Sequence, residues 1–243
     1  MPKKRLIRAA NYCRNPITES MNKFVSILAY ILVGPYIKTK LLKEIKGKEN
    51  FPKRNFILAS NHSSHLDWFI DGWLLSPRRH TFIAQVDKMT GTKRFFRDLL
   101  YWVCGIIKVD RNDRESKKIA LARAIEIVKG GYCLVIYPEG TRSRDGQTHE
   151  FKAGVGKIYI ETGVPVVPSA FKGTFEMMPP GAKLKGRKMV RILIGKPMEF
   201  LPEREAATKL DKNSEEYRKI CAAVTAKIEE AVKNLLKNDA GQY

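Results

Sequence analysis

Phe56-Ile57-Leu58-Ala59 runs into the polar segment Asn61-His62-Ser63-Ser64-His65-Leu66-Asp67, which is followed by Trp68, Phe69, Ile70, Trp73 and Leu74. A four-residue apolar run bounded by polar residues reads as a buried strand, and the later apolar positions recur at helical spacing. The unit is strand, polar turn, helix. Short β-rich runs return at Thr81–Val86, Gly105–Val109, Tyr132–Tyr137, Val164–Phe171 and Val190–Ile194. Between several of them lie helical stretches, the clearest being Ser116–Lys129, stopped by Gly130-Gly131. Tyr217, Ile220, Cys221, Val224, Ile228, Val232 and Leu235 repeat at helical spacing behind a cap at Asn213 or Ser214. Alternation of this kind predicts an α/β fold with a mostly parallel central sheet flanked by helices.

The 243 residues suit one large domain or a domain with an appendage, and 44% apolar content argues against wholesale disorder. Lys and Arg number 45 against 25 acids, a net charge of +20 that favours anionic partners. Residues 1–54 hold 13 basic and 3 acidic residues, so half of that surplus lies near the N-terminus. The four cysteines (Cys13, Cys104, Cys133, Cys221) lie far apart, which excludes a disulfide scaffold or zinc knuckle and points to reduced thiols in a cytosolic setting.

Phe24–Val33 is an apolar run that Gly34-Pro35 is expected to end. Tyr36, Ile37, Leu41, Leu42 and Ile45 then alternate with Lys38, Lys40, Lys43 and Lys46, as in a second amphipathic helix. Neither piece has the roughly 20 apolar residues of a bilayer-spanning helix, and a signal peptide fits poorly. Residues 1–50 therefore read as a basic, amphipathic helical hairpin touching an anionic leaflet through Phe24, Ile27, Leu28, Ile31 and Leu32. Packing of the same faces on the domain of residues 51–243 is the other reading.

Ligands of α/β sheets bind beyond the carboxyl ends of the strands, where the Asn61–Asp67 turn falls. Asp67 could accept from one imidazole nitrogen of His62, leaving the other to act as a base. Ser64-x-x-Asp67 also resembles a capping box, a metal could be held by His62, His65 and Asp67, and Ser63 or Ser64 could be a nucleophile. Yet the spacing matches no common zinc signature, and no Gly-x-Ser-x-Gly turn surrounds either serine. A second polar loop, Pro138-Glu139-Gly140-Thr141-Arg142-Ser143, leaves the end of Tyr132–Tyr137. Gly140 lets backbone approach a ligand, Arg142 offers a phosphate-binding fork, and Lys152 adds a cation. An ordinary turn with Glu139 paired to Arg142 competes. Arg111 ends a third strand. In a parallel sheet all these strand ends share one edge, giving a single site with a base and several cations.

Asn61-His62-x4-Asp67, Gly105–Arg111, Tyr137–Ser143 and Val164-Pro165-Val166-Val167-Pro168 resemble, in order, the four blocks of the glycerolipid acyltransferases. The one departure is Tyr137, where the family has Phe. The resemblance implies acyl transfer from an acyl carrier protein or coenzyme A thioester to the 2-hydroxyl of lysophosphatidate, giving phosphatidate. It implies a peripheral enzyme on the cytoplasmic face of the cell membrane. His62 would be the base and Asp67 its orienting partner; Arg111, Glu139 and Arg142 would handle glycerol phosphate, with Gly140, Thr141 and Lys152 in the same binding set. Relatives acylate glycerol phosphate, other lysophospholipids or aminolipids, so the acceptor stays open. Phe95, Phe96, Leu99, Leu100 and Trp102 are candidates for an acyl-chain groove, with core packing as the alternative. No metal or other cofactor is needed, and the basic surface suits both carriers. No helix-turn-helix, zinc-finger or RNA-binding motif is evident, so no nucleic-acid partner is expected, although a noncatalytic basic module would share the charge.

Overall fold

The computed structural model describes residues 16–85, 91–186 and 188–240; Cys13, Val86 and the basic residues of 1–15 lie outside them. The strands are β1 (Leu42–Lys46), β2 (Ile57–Ser60), β3 (His80–Gln85), β4 (Ile107–Val109), β5 (Cys133–Ile136), β6 (Val166–Lys172) and β7 (Val190–Ile194). They form one sheet in the order β1-β7-β6-β2-β5-β3-β4, parallel throughout except for the β6–β7 pair. The helices are α1 (Pro16–Tyr36), α2 (His65–Leu75), α3 (Gly91–Val103), α4 (Arg114–Lys129), α5 (Gly154–Thr162), α6 (Thr174–Met177), α7 (Leu201–Thr208) and α8 (Glu215–Ala240).

Apolar residues on both faces of the central strands demand cover on both sides. In β2, Ile57 and Ala59 join a cluster with α4, α5 and α8, while Leu58 joins a second with α2 and the end of the N-terminal segment. The strand period of two thus builds two cores from one run of four residues.

The N-terminal hairpin does not form. α1 runs through Gly34-Pro35 to Tyr36, a π-helical turn follows over Ile37–Leu41, and the chain then enters the sheet as β1, parallel to β7. A Cβ on Gly34 would come within 2.7 Å of Trp73 Nε1, so this glycine permits close packing of α1 on α2 instead of stopping the helix. Pro35 lacks an N–H to give to the preceding turn, and the ladder is rearranged just beyond it. Ile37, Leu41 and Leu42 are core residues, not a lysine-flanked surface stripe. Residues 42–46 therefore belong to the sheet. Asp239 of α8 pairs with Arg191 of β7 at 2.7 Å and Lys46 of β1 at 3.3 Å, clamping this edge.

The joined helix has a consequence for membrane contact. Lys23–Leu41 is a 19-residue helical run of mean hydropathy 1.3, long and apolar enough by those measures to cross a bilayer. It nevertheless lies on the domain: Tyr30 stacks on Trp73 at 6.0 Å, and Lys38 sits 5.8 Å over the same indole.

Candidate active site

Ser64 ends the extended backbone after β2 and caps α2, its hydroxyl oxygen accepting from the Leu66 N–H at 3.2 Å. Asp67 completes the capping box from the first turn, taking the Ser64 N–H at 2.8 Å and the Ser63 N–H at 2.8 Å on Oδ2. The same oxygen meets His62 Nδ1 at 2.9 Å. Capping and orienting the imidazole are thus two jobs of one fully buried carboxylate. The His62 side chain keeps 11% exposure, and among the described residues no group takes its Nε2.

Neither serine is poised to attack. The Ser64 hydroxyl donates to the Met178 carbonyl at 2.7 Å, and the Ser63 hydroxyl shares a 3.0 Å hydrogen bond with Thr174 of α6. Among the described residues, no three His, Cys, Asp or Glu side chains come together to hold a metal ion.

The loop after β5 is laced to the loop after β2, as expected of neighbouring parallel strands. The His62 N–H donates to Glu139 Oε1 at 2.8 Å, and the Ser143 N–H donates to the His62 carbonyl at 2.7 Å. Gly140 has φ +73, a left-handed backbone that glycine adopts without strain. A Cβ there would also lie 2.7 Å from Lys152 Nζ, so the lysine reaches directly over the turn. Thr141 is exposed and Arg142 half-buried, with no ion pair to either Arg142 or Lys152 among the described residues.

Glu139 holds the two loops together. It is buried, bridges the His62 and His149 N–H groups, and is not paired with Arg142. Burial pushes its carboxyl up to about 7. Between about pH 4.5 and 7 the unfolded chain therefore gives up this proton while the folded one keeps it, and folding stability declines with rising pH. Chemical denaturation at pH 5 and pH 7.5 should show a fall in wild-type stability that exceeds that of Glu139→Gln by an amount on the order of 2 kcal/mol.

Arg111 is placed by its backbone on the far edge of the sheet. It follows β4 at the sheet edge, three strand spacings (about 14 Å) from β2, where its N–H donates to Gln85. At the α2 N-terminus the Ser63, Ser64 and Leu66 N–H groups are taken up within the cap.

Four of the candidate groove residues are exposed on α3. Phe95 and Phe96 are 65% and 67% exposed, and Leu99 and Trp102 are also exposed; the Leu100 side chain is outside the described set. α3 simply turns these residues away from the core. A cavity of about 270 Å³ exists instead between α1 and α2, lined by Val33, Trp68, Phe69, Trp73, Phe82 and Ile106 among others. Its lining runs along α2 from Trp68 to Ser76, about 12 Å of helix, and does not include His62, Asp67, Glu139 or Arg142.

A family model described as Acyltransferase matches residues 43–172, a span that contains β2 to β6, the His62–Asp67 pair and the Glu139 loop. The chain belongs to this acyltransferase family. Among its family relatives, the chloroplastic 1-acyl-sn-glycerol-3-phosphate acyltransferase BAT2 of Brassica napus is 36% identical over 177 residues, covering 70% of this chain and 48% of that protein. The 1-acyl-sn-glycerol-3-phosphate acyltransferase of Borreliella burgdorferi is 32% identical over 153 residues, 60% of each chain. The crystal structure of the 1-acyl-sn-glycerophosphate acyltransferase PlsC from Thermotoga maritima superposes with a TM-score of 0.59 at 26% identity, covering 97% of this chain and 98% of that one. This acyltransferase chain spans about half the length of the plant relatives it matches.

Two features of the acyltransferase site escaped the sequence reading. Tyr137 lies flat on the His62 imidazole, with ring centroids 4.1 Å apart and planes 15° from parallel. Its hydroxyl donates to Asp71 Oδ2 at 2.8 Å. The only available signal was the position of Asp71, one helical turn beyond Asp67 and hence on the same face of α2.

Proposed function

We propose that this chain moves a fatty acyl group from an acyl carrier protein or coenzyme A thioester to the 2-hydroxyl of 1-acylglycerol-3-phosphate, forming phosphatidic acid. The observation that carries this reading is the 2.9 Å bond from His62 Nδ1 to Asp67, which leaves Nε2 to face a hydroxyl. An alcohol is a weak nucleophile near neutral pH. His62 takes its proton as the oxygen attacks the thioester carbonyl, the tetrahedral intermediate collapses, and the imidazolium returns the proton to the departing sulfur. Asp67 stabilises the imidazolium in between. The acceptor is supported by the relatives, which are 1-acyl-sn-glycerol-3-phosphate acyltransferases.

Arg142 and Lys152 bind the acceptor phosphate beside Gly140, and the cavity along α2 takes an acyl chain. An acceptor panel with radiolabelled thioester tests this: lysophosphatidate, glycerol phosphate and lysophosphatidylcholine, each offered with both carriers. Lysophosphatidate should be the preferred acceptor, and Arg142→Ala should raise its apparent KM about tenfold or more, the loss of one charge-assisted hydrogen bond. Equal use of lysophosphatidylcholine, or an unchanged KM in Arg142→Ala, would overturn the assignment.

The N-terminal segment and α3 together make the membrane-contact surface of a peripheral protein on the cytoplasmic face. Phe24, Ile31 and Leu32 of α1 are exposed, α3 packs beside α1, and the exposed Phe95 and Phe96 extend the apolar area. Lys23, Lys38 and Lys40 rim it with positive charge. Deleting residues 1–50 would tear β1 from the sheet, so substitutions give the cleaner test. Phe95→Glu with Phe96→Glu should reduce flotation with anionic vesicles more than tenfold, since burying each phenylalanine is worth about 1.5–3 kcal/mol. Undiminished flotation would remove α3 from the contact.

A further inference from the structure

We infer that Tyr137 and Asp71 are positioning residues for His62: Asp71 anchors the Tyr137 hydroxyl, and the anchored ring fixes the plane of the imidazole. The inference rests on the reading of His62 as the base. The Nδ1–Asp67 hydrogen bond holds one edge of the imidazole but leaves the ring free to tilt about that bond. A flat ring at 4.1 Å removes that freedom from one side. Tyr137 follows β5, whereas Asp67 and Asp71 are both on α2 and both fully buried. One helix therefore grips the imidazole twice, edge-on through Asp67 and face-on through Asp71 and the tyrosine.

The hydroxyl does what a phenylalanine at this position cannot. It ties the end of β5 to the second turn of α2 across 66 residues of sequence, at 2.8 Å. A buried carboxyl is costly to keep without a hydrogen-bond partner, and Asp71 has this one on Oδ2 while Oδ1 has none among the described residues. Burial and the nearby Asp67 push the Asp71 carboxyl well above the ordinary carboxylate range. The pair acts on the base through geometry, the anchored ring lying flat on the imidazole. Geometry matters because an error of about 1 Å in placing a reacting group costs on the order of a hundredfold in rate.

Steady-state kinetics on Tyr137→Leu, Tyr137→Phe, Asp71→Val and Asp71→Asn test this, with near-ultraviolet circular dichroism to verify folding. Tyr137→Leu, which loses the stack, should lower kcat about ten- to a hundredfold with the KM for both substrates unchanged. Tyr137→Phe keeps a ring but frees it, and should lose several-fold. Asp71→Val should lose as much as Tyr137→Phe, and Asp71→Asn should recover most of that loss, because its amide oxygen still accepts the hydroxyl. The inference is overturned if folded Tyr137→Leu and Tyr137→Phe both turn over within twofold of wild type. It is equally overturned if the losses fall on KM, or if Asp71→Asn is as poor as Asp71→Val. Full activity in His62→Ala would instead sink the base assignment itself, whereas an inactive His62→Ala beside normal Tyr137 variants would sink only the positioning role.

Discussion

Replacing His62 by alanine is expected to lower kcat by about 10²- to 10⁴-fold, the usual contribution of a positioned general base. The fold should survive. The His62 backbone, not its ring, carries the hydrogen bonds to Glu139 and Ser143 that lace the two loops together. The ring itself makes a hydrogen bond only to Asp67 among the described residues, and Asp67 retains the Ser63 and Ser64 N–H groups when the imidazole is gone. Thermal unfolding within a few degrees of wild type, together with an unchanged KM for the acceptor, would assign the loss to chemistry.

Asp67→Asn should lower kcat by about a hundredfold, because the imidazolium formed during proton transfer loses its charged partner, a hydrogen bond worth about 1.5–3 kcal/mol. Every bond to Asp67 arrives on Oδ2, and a single amide oxygen in that place can keep all three donors. The amide nitrogen then occupies the Oδ1 position, which is buried with no partner among the described residues. Geometry is thus largely preserved while the charge is removed. Asp67→Ala removes the cap as well and should cost about 0.5–2 kcal/mol of stability in addition. Measuring kcat and denaturant midpoints for both variants separates the electrostatic role from the structural one: equal kcat losses in a stable Asn and a destabilised Ala variant would show that charge, not placement, is what Asp67 supplies.

What could be read from the sequence follows from which forces are local. Val190–Ile194 has the boundaries expected, and β2 and β5 fall within a residue or two of theirs, because buried central strands carry continuous apolar runs. The cap at Ser64 and its Asp67 partner were also visible, since a capping box is a matter of spacing. Leu42–Lys46 was misread as helix. Leu42 and Ile45 are three apart, a helical spacing, and only parallel pairing with Val190–Leu193, some 150 residues away and with a register shift between Leu42 and Glu44, makes this segment a strand. Gly34 resembles a stop signal in the sequence, but its reason is the Trp73 indole of α2. Phe95 and Phe96 were read as groove lining because apolar periodicity reports which residues share a face but not what that face meets. Tyr137 looked like a conservative replacement because its hydroxyl partner lies on a different element.

In the proposed mechanism the imidazole activates the acceptor directly, with no acyl group passing through the protein. The most direct measurement is a single-turnover experiment with radiolabelled acyl thioester and enzyme in excess, first without acceptor and then with lysophosphatidate. No label should be found on the protein before acceptor is added, and afterwards label should pass straight to phosphatidate, at a rate reduced at least a hundredfold in His62→Ala. A stoichiometric acyl-protein that forms without acceptor and disappears when lysophosphatidate arrives would contradict this mechanism.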